Sequence, residues 1–437
     1  MSSLLEEVAS PQGQSAGSAT ASKPHPVPMS WQQALPVTLF CLPLLWLRLQ
    51  LLFTPLPLFD FMSYWVAGRL FLSGANPYSG IAMLPIEHAL GWPYQPLVML
   101  NPPWALPFVA WLGLVSFPVA HYVCLVLSLL LEAASFLMLW RYFGGEKKKQ
   151  WIALALFATL LPAGVAEHAG QVTPLILAGL TAFLFLLRHQ RYVLAGACLL
   201  MLGPKPHLLY LAILAIVLWA AQGRKWSLFI SVIVTYASAT IAAIAYNRNV
   251  LDYFHGTIRA AMDTSCGVGG ALRSIFGLQH AWLQFPTTVI GVAWFAFYWM
   301  RNRRTWTWEE HLPLLLVVSV STSPYFWAHD FILAVPALIS LAVAFSKTRT
   351  NWIAASGLYL LAQIAISEAS VISGSKAWMA TASLVWLALY KLGTSRLAKA
   401  RQASIEPQPS LSLFDRSQPA DTMAMQETLS ARAQTLR

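Results

Sequence analysis

Charge is what this sequence has least of. Asp, Glu, Lys and Arg together make up 10% of its 437 residues, where a soluble domain carries roughly 25%. That supply cannot clothe a water-facing surface, so a soluble globular class is excluded. Cysteine is scarce too: there are four, and Cys41, Cys124 and Cys198 fall inside apolar runs. No CxxC and no Cys/His ligand spacing occurs, which excludes a disulfide framework and a zinc site. No Asp-x-Asp pair is present to hold a metal-bound nucleotide sugar. The stretch "GVGGALRSIFG" (267–277) reads as a Gly-rich loop, but it lacks the Lys-Ser/Thr and the strand–helix setting of a nucleotide cradle. Residues 1–30 are rich in Ser, Ala and Pro and carry Glu6 and Glu7, unlike the basic start of a signal peptide. The first apolar run therefore reads as a retained anchor.

What the chain has in abundance is apolar surface. Hydrophobic residues make up 57% of it and the mean hydropathy is +0.58, the composition of an all-α polytopic membrane protein. A span needs about 20 mostly apolar residues, fewer where the bilayer thins or the helix is partly buried. Runs that qualify are 34–53, 119–140, 151–166, 172–188, 192–204, 207–221, 226–246, 284–300, 311–324, 331–346, 352–368 and 376–391, about twelve transmembrane helices. Alternate connectors are basic: Arg141 with Lys147, Lys148 and Lys149; Arg188 and Arg191; Arg224 and Lys225; Arg301, Arg303 and Arg304; Lys347 and Arg349; Lys391. By the positive-inside rule these connectors and both termini face the cytoplasm. The same pattern accounts for the net charge of +11 without nucleic acid. The domain division expected is a disordered cytoplasmic tail (1–33), a transmembrane domain (34–395) and a second disordered tail (396–437).

The other face collects acids, histidines and a few bases, and ionisable groups converging at one membrane surface are by default a functional site. Its first loop, 54–118, is long. Residues 62–73 have helical spacing and aromatics suited to a helix lying in the interface, and "GANPY" ends that helix in a turn. The piece 103–116 is too short to span and reads as a half-inserted helix.

Five stretches carry a resemblance: "FDFMSYWVAGRLFLSGANPY" (59–78), "NPPWALPF" (101–108), "GQVTPLIL" (170–177), "AGACLLMLGPKPH" (195–207) and "SPYFWAHDFIL" (323–333). In this order the sequence, over roughly residues 35–345, resembles glycosyltransferase family 87, the C-type mannosyltransferases that use polyprenyl-phosphate-mannose. The resemblance implies a C-type fold and a polyprenyl-phosphate-linked sugar donor. It further implies a glycolipid or glycan acceptor and transfer on the non-cytoplasmic face of the cell membrane, with membrane lipids as surroundings.

Asp60 follows the first span directly. A carboxylate desolvated beside aromatics suits a base that takes an acceptor hydroxyl proton, and the resemblance implies its catalytic Asp there; an N-cap role is the alternative. Lys205, in "GPKPH" against the positive-inside trend, suits a lipid phosphate as a point charge, or else snorkels at an interface. His207 and Arg69 are further candidates for that phosphate, although plain surface exposure would also explain Arg69. Gln171 and His168 in "EHAGQ", Tyr78 in the turn, and His329 and Asp330 in "SPYFWAHD" are candidate substrate contacts; a polar turn, an aromatic belt and a helix cap are the respective alternatives. Trp104 is a second aromatic that could stack on a sugar. Of the deep charges, Arg48 is expected to snorkel outward and Glu132 to pair with a polar neighbour. No metal and no soluble cofactor is expected. A transporter or flippase of a lipid-linked sugar is the competing class, and it predicts broken helices and charge at the midplane.

Overall fold

The computed structural model describes residues 31–53, 59–255, 267–347, 352–367 and 382–395. The expected tails lie outside these residues, except that a helix already begins at Trp31. Every regular element among the described residues is helical. Among the described residues three helices are long and apolar enough to cross a membrane: Phe117–Tyr142, Trp226–Tyr246 and Ala328–Ser346. A bent pair, Lys147–Thr159 with Leu161–Ala169, makes a fourth if counted as one span. The other runs read from the sequence fall on shorter apolar helices, such as Thr173–Arg188 and Pro206–Gln222, or partly outside the described residues.

Burial sorts the long helices. Only 17% of the apolar window of Trp226–Tyr246 is buried against 67% of Ala328–Ser346, so the former turns Ile230, Ile233, Val234 and Ile241 outward as a lipid-facing wall. The latter runs through the centre. Its first turns, Ala328–Ala334, are a buried 3-10 helix packed against Leu161–Ala169.

The bent pair shows how a membrane helix is broken at tolerable cost. Pro162 has no N–H to give and its ring would collide with a carbonyl one turn back, so the chain leaves helical geometry at Leu160 and turns by 51°. In a bilayer the freed backbone groups must find partners inside the protein. The Arg48 guanidinium donates to the Phe157 carbonyl, and Gln363 Oε1 accepts from Leu161 N at 2.9 Å.

This corrects the expectation for Arg48. It does not snorkel but is buried, donating from Nη2 to Glu132 Oε2 at 3.1 Å and also to Glu167. The polar neighbour expected for Glu132 is therefore Arg48. Glu167, read as part of an outer turn, points inward to the same guanidinium because two carboxylates in an apolar bundle need a shared cation.

The first loop builds its own core. Phe61, Met62, Tyr64, Trp65, Val66, Leu70, Met83, Leu106 and Leu112 cluster there, apart from the larger core of the spans, with Val172 touching both. The helix Phe59–Leu72 buries every residue from Phe61 to Gly68, so it does not lie on the interface as an amphipathic helix would. The segment 103–114 crosses over it as short 3-10 and α turns. That crossing requires glycine: a Cβ on Gly68 would stand 2.3 Å from the Val109 carbonyl oxygen, and one on Gly113 would stand 2.6 Å from Arg69 N. "GVGGALRSIFG" is also not a loop. It holds the helix Val268–Phe276, with Gly269 against the backbone of Gln284 and Arg273 donating to the Leu278 carbonyl.

Candidate active site

Two polar groups meet where the loop core joins the spans. In the first, Asp60 opens the helix Phe59–Leu72, and the Gln171 side-chain amide donates to its Oδ2. Gln171 reaches this position because Gly170 ends Leu161–Ala169 in the left-handed region, at φ 64° and ψ 40°, where L side chains are strained. A Cβ on Gly170 would also stand 2.3 Å from Phe61 Cβ, so a residue with a side chain would push the two elements apart. Tyr64, one turn beyond Asp60, donates its hydroxyl to Gln171 Oε1 at 3.3 Å. Both ends of the amide are thus engaged, which sets its orientation.

The second group surrounds Lys205, which is 6% exposed. Its ammonium donates to Asp330 Oδ1 at 2.8 Å and lies 3.2 Å from His329 Nε2. Asp330 Oδ2 accepts from Trp327 N at 2.8 Å, a capping arrangement that fixes the first turn of the central span. His207 stacks at a tilt on Tyr325, with ring centroids 5.3 Å apart, and its buried Nε2 has no hydrogen-bond partner. The loop bearing Lys205 is held by the first outer loop. Asn101 Nδ2 donates to the Pro204 carbonyl at 2.9 Å, and Trp104 Nε1 donates to the Gly203 carbonyl at 3.0 Å. Tyr78 in turn donates to the Asn101 carbonyl at 3.0 Å.

The two groups sense each other. Burial holds the Asp60 carboxyl above its ordinary value, opposed by the positive charge of Lys205 and the Gln171 hydrogen bond and reinforced by the charge of Asp330. A carboxylate of raised basicity with some exposed surface, beside a buried ammonium, can accept a proton while the cation stabilises a departing anion. Among the described residues no three His, Cys, Asp or Glu side chains converge as a metal-ligand set.

Of the residues read from the sequence, Asp60 and Gln171 come together directly, Lys205, His329 and Asp330 form the second group, and His207 lies beside it. Tyr78 is buried and braces the Lys205 loop through Asn101. His168 turns elsewhere, with Nδ1 2.7 Å from the Leu51 carbonyl. Arg69 stands apart, exposed, with its guanidinium over Trp65 and nine residues, about 13 Å of helix, beyond Asp60. The sequence reading assigned no role to Tyr64 or Asn101. Asn101 opened a quoted motif, but nothing in one sequence ties an amide to a carbonyl 103 residues away.

An all-helical membrane-type protein with a carboxylate–amide pair within electrostatic reach of a buried cation is the class these features define. The model of glycosyltransferase family 87 matches residues 99–324, more than half of the chain, and the chain belongs to that family. No curated protein and no solved structure matches it. The matched residues contain Gln171, Lys205 and His207, while Asp60, His329 and Asp330 lie outside them and join the site through the contacts above.

Proposed function

We propose that this glycosyltransferase moves a hexose, mannose in the reading adopted here, from a polyprenyl-phosphate donor to a glycolipid or glycan acceptor at the non-cytoplasmic face of the membrane, on a C-type fold of about twelve spans. Asp60 takes the proton of the acceptor hydroxyl, whose oxygen attacks the anomeric carbon as the bond to the lipid phosphate breaks, with inversion. Lys205 stabilises the departing phosphate, with His207 as a second partner, and Gln171 holds the Asp60 carboxylate toward the reacting hydroxyl. The single observation that carries this reading is the joining of Asp60 to Gln171 within electrostatic reach of the buried Lys205. A transporter would use its broken helix and midplane charges to carry substrate; here Arg48 spends them on Glu132, Glu167 and the broken backbone.

The test supplies purified protein in nanodiscs with a crude glycolipid extract and a panel of donors: polyprenyl-phosphate-mannose, -glucose and -arabinose, and a nucleotide-mannose. The expected result is transfer from the mannosyl lipid alone, with inverted anomeric configuration by NMR. Transfer from the nucleotide sugar, or retention, overturns the mechanism. Flipping of the lipid donor across vesicles without transfer overturns the enzyme.

A further inference from the structure

At the end of the helices opposite Asp60 there is an apolar cleft of about 160 Å³. Trp151, Leu156, Leu341, Phe345, Tyr359 and Tyr390 are among the residues that wall it. Two helices fix its place. Leu161–Ala169 ends beside Gln171, and Trp151 begins the other half of that broken span. Likewise Asp330 lies at one end of the central segment and Phe345 at the other, fifteen residues or about 22 Å of helix away. Catalytic side chains do not reach it.

The rim of the cleft differs from its walls. Three segments that line the cleft each carry a lysine within two residues of an aromatic wall residue: Lys149 before Trp151, Lys347 after Phe345, and Lys391 after Tyr390. Lys347 and Lys391 are exposed. Lys149 is half-buried and already donates to Glu146 Oε1 at 2.9 Å and to the Ser346 carbonyl at 2.7 Å. Lys347 Nζ lies close to Gly144, 3.4 Å from where its Cβ would stand, which puts two of the three ammonium groups on the same turn. Lysines at span ends are ordinary. Lysines from three segments around a cleft that the described side chains leave unfilled go beyond that rule, because an apolar slot flanked by positive charge matches a molecule with an apolar chain and an anionic head.

We propose that this cleft binds an anionic glycerophospholipid, one acyl chain lying in the slot and the phosphate on the lysine rim. The proposal requires only that the chain sits in a bilayer and is independent of the reaction at Asp60. The lipid braces the first half of the broken span against the central segment from the side away from catalysis.

The test is native mass spectrometry and thermal unfolding of the full chain in detergent, with phosphatidylglycerol, phosphatidylcholine and, separately, glycerol 1-phosphate. The expected result is retained phosphatidylglycerol and a higher Tm with it than with phosphatidylcholine. Each lysine removed (Lys149→Gln, Lys347→Gln, Lys391→Gln) should reduce that preference by about fivefold. Ala155 also lines the slot, and filling it with Ala155→Phe should abolish retention of both lipids. If that variant misfolds, Leu341→Phe asks the same question from another wall. Equal binding of the two phospholipids by wild type overturns the proposal. So does a preference that survives loss of all three lysines, or stabilisation by glycerol 1-phosphate equal to that by the lipid.

Discussion

Two buried charge clusters in this protein use the same kinds of side chain toward different ends. Around Arg48, a guanidinium is surrounded by acceptors: Glu132, both oxygens of Glu167 and the Phe157 carbonyl, with the Phe157 ring beneath it at 4.6 Å. Nearly every donor it has is spent on holding a broken helix. Around Lys205, the cation has one carboxylate partner and one imidazole, a second imidazole stands by with its Nε2 unpaired, and Asp60 keeps exposed surface. A cation whose donors are spent organises the fold, even with Glu132 Oε1 left unpaired, whereas a cation at the edge of the apolar region with an unpaired imidazole and a part-exposed carboxylate beside it has capacity left for a substrate. Composition does not distinguish the two; the donors left on and around the cation do.

The largest effect is expected at Asp60. Asp60→Asn should slow transfer by about 10²–10⁴-fold with no fall in Tm, measured by label transfer and thermal unfolding. Arg48→Met should do the reverse. Stranding two buried carboxylates costs about 3–5 kcal/mol, seen as a large fall in Tm, while the protein that remains folded transfers sugar at the wild-type rate. Lys205→Met should lower kcat/KM by about 10²–10³-fold and also lower Tm, since Asp330 loses its cation; adding Asp330→Leu should recover Tm without recovering activity.

Subtler changes sharpen the contrast through pH. Asp60 works as a base only when ionised, and its raised pKa puts the acid limb of kcat/KM above the usual carboxylate range, near 3.9. Activity falls as pH drops through that limb. The Gln171 amide favours the ionised form, so Gln171→Leu should move the limb to higher pH and lower activity about tenfold below it. Because folding raises the Asp60 pKa, its linkage favours the folded state below the unfolded value, and that contribution is lost as pH rises through the folded one. Gln171→Leu should widen this window. Tyr64→Phe removes only the hydroxyl that orients Gln171 and should cost about 0.5–1.5 kcal/mol, a few-fold in rate with a smaller shift of the same limb.

Much of this was legible in the sequence. Charge poverty and long apolar runs gave the membrane class, and five motifs in order gave the family. The placement of Lys205 against the positive-inside trend singled out the cation. Pro162 inside an apolar run was a visible sign of a break, but the span was read as continuous because hydropathy does not register a missing N–H. Position near a span end suggests exposure for Arg48 and Glu167, and only packing shows that they turn inward, where Glu167 and Glu132 share the Arg48 guanidinium. The burial of Phe59–Leu72 was hidden for a related reason. Its aromatics fit an interface as well as a core, and the Gly68–Gly113 crossing that encloses them joins residues 45 apart. Tyr64 and Asn101 escaped because their roles are to hold other groups in place, which a single sequence does not display.

The most direct measurement of the central claim is single-turnover transfer by Asp60→Asn loaded beforehand with labelled polyprenyl-phosphate-mannose, beside wild type treated identically. If Asp60 is the base, the two bind donor equally and label passes to the glycolipid only in wild type. Equal transfer by both would contradict the claim and would remove Asp60 as the base.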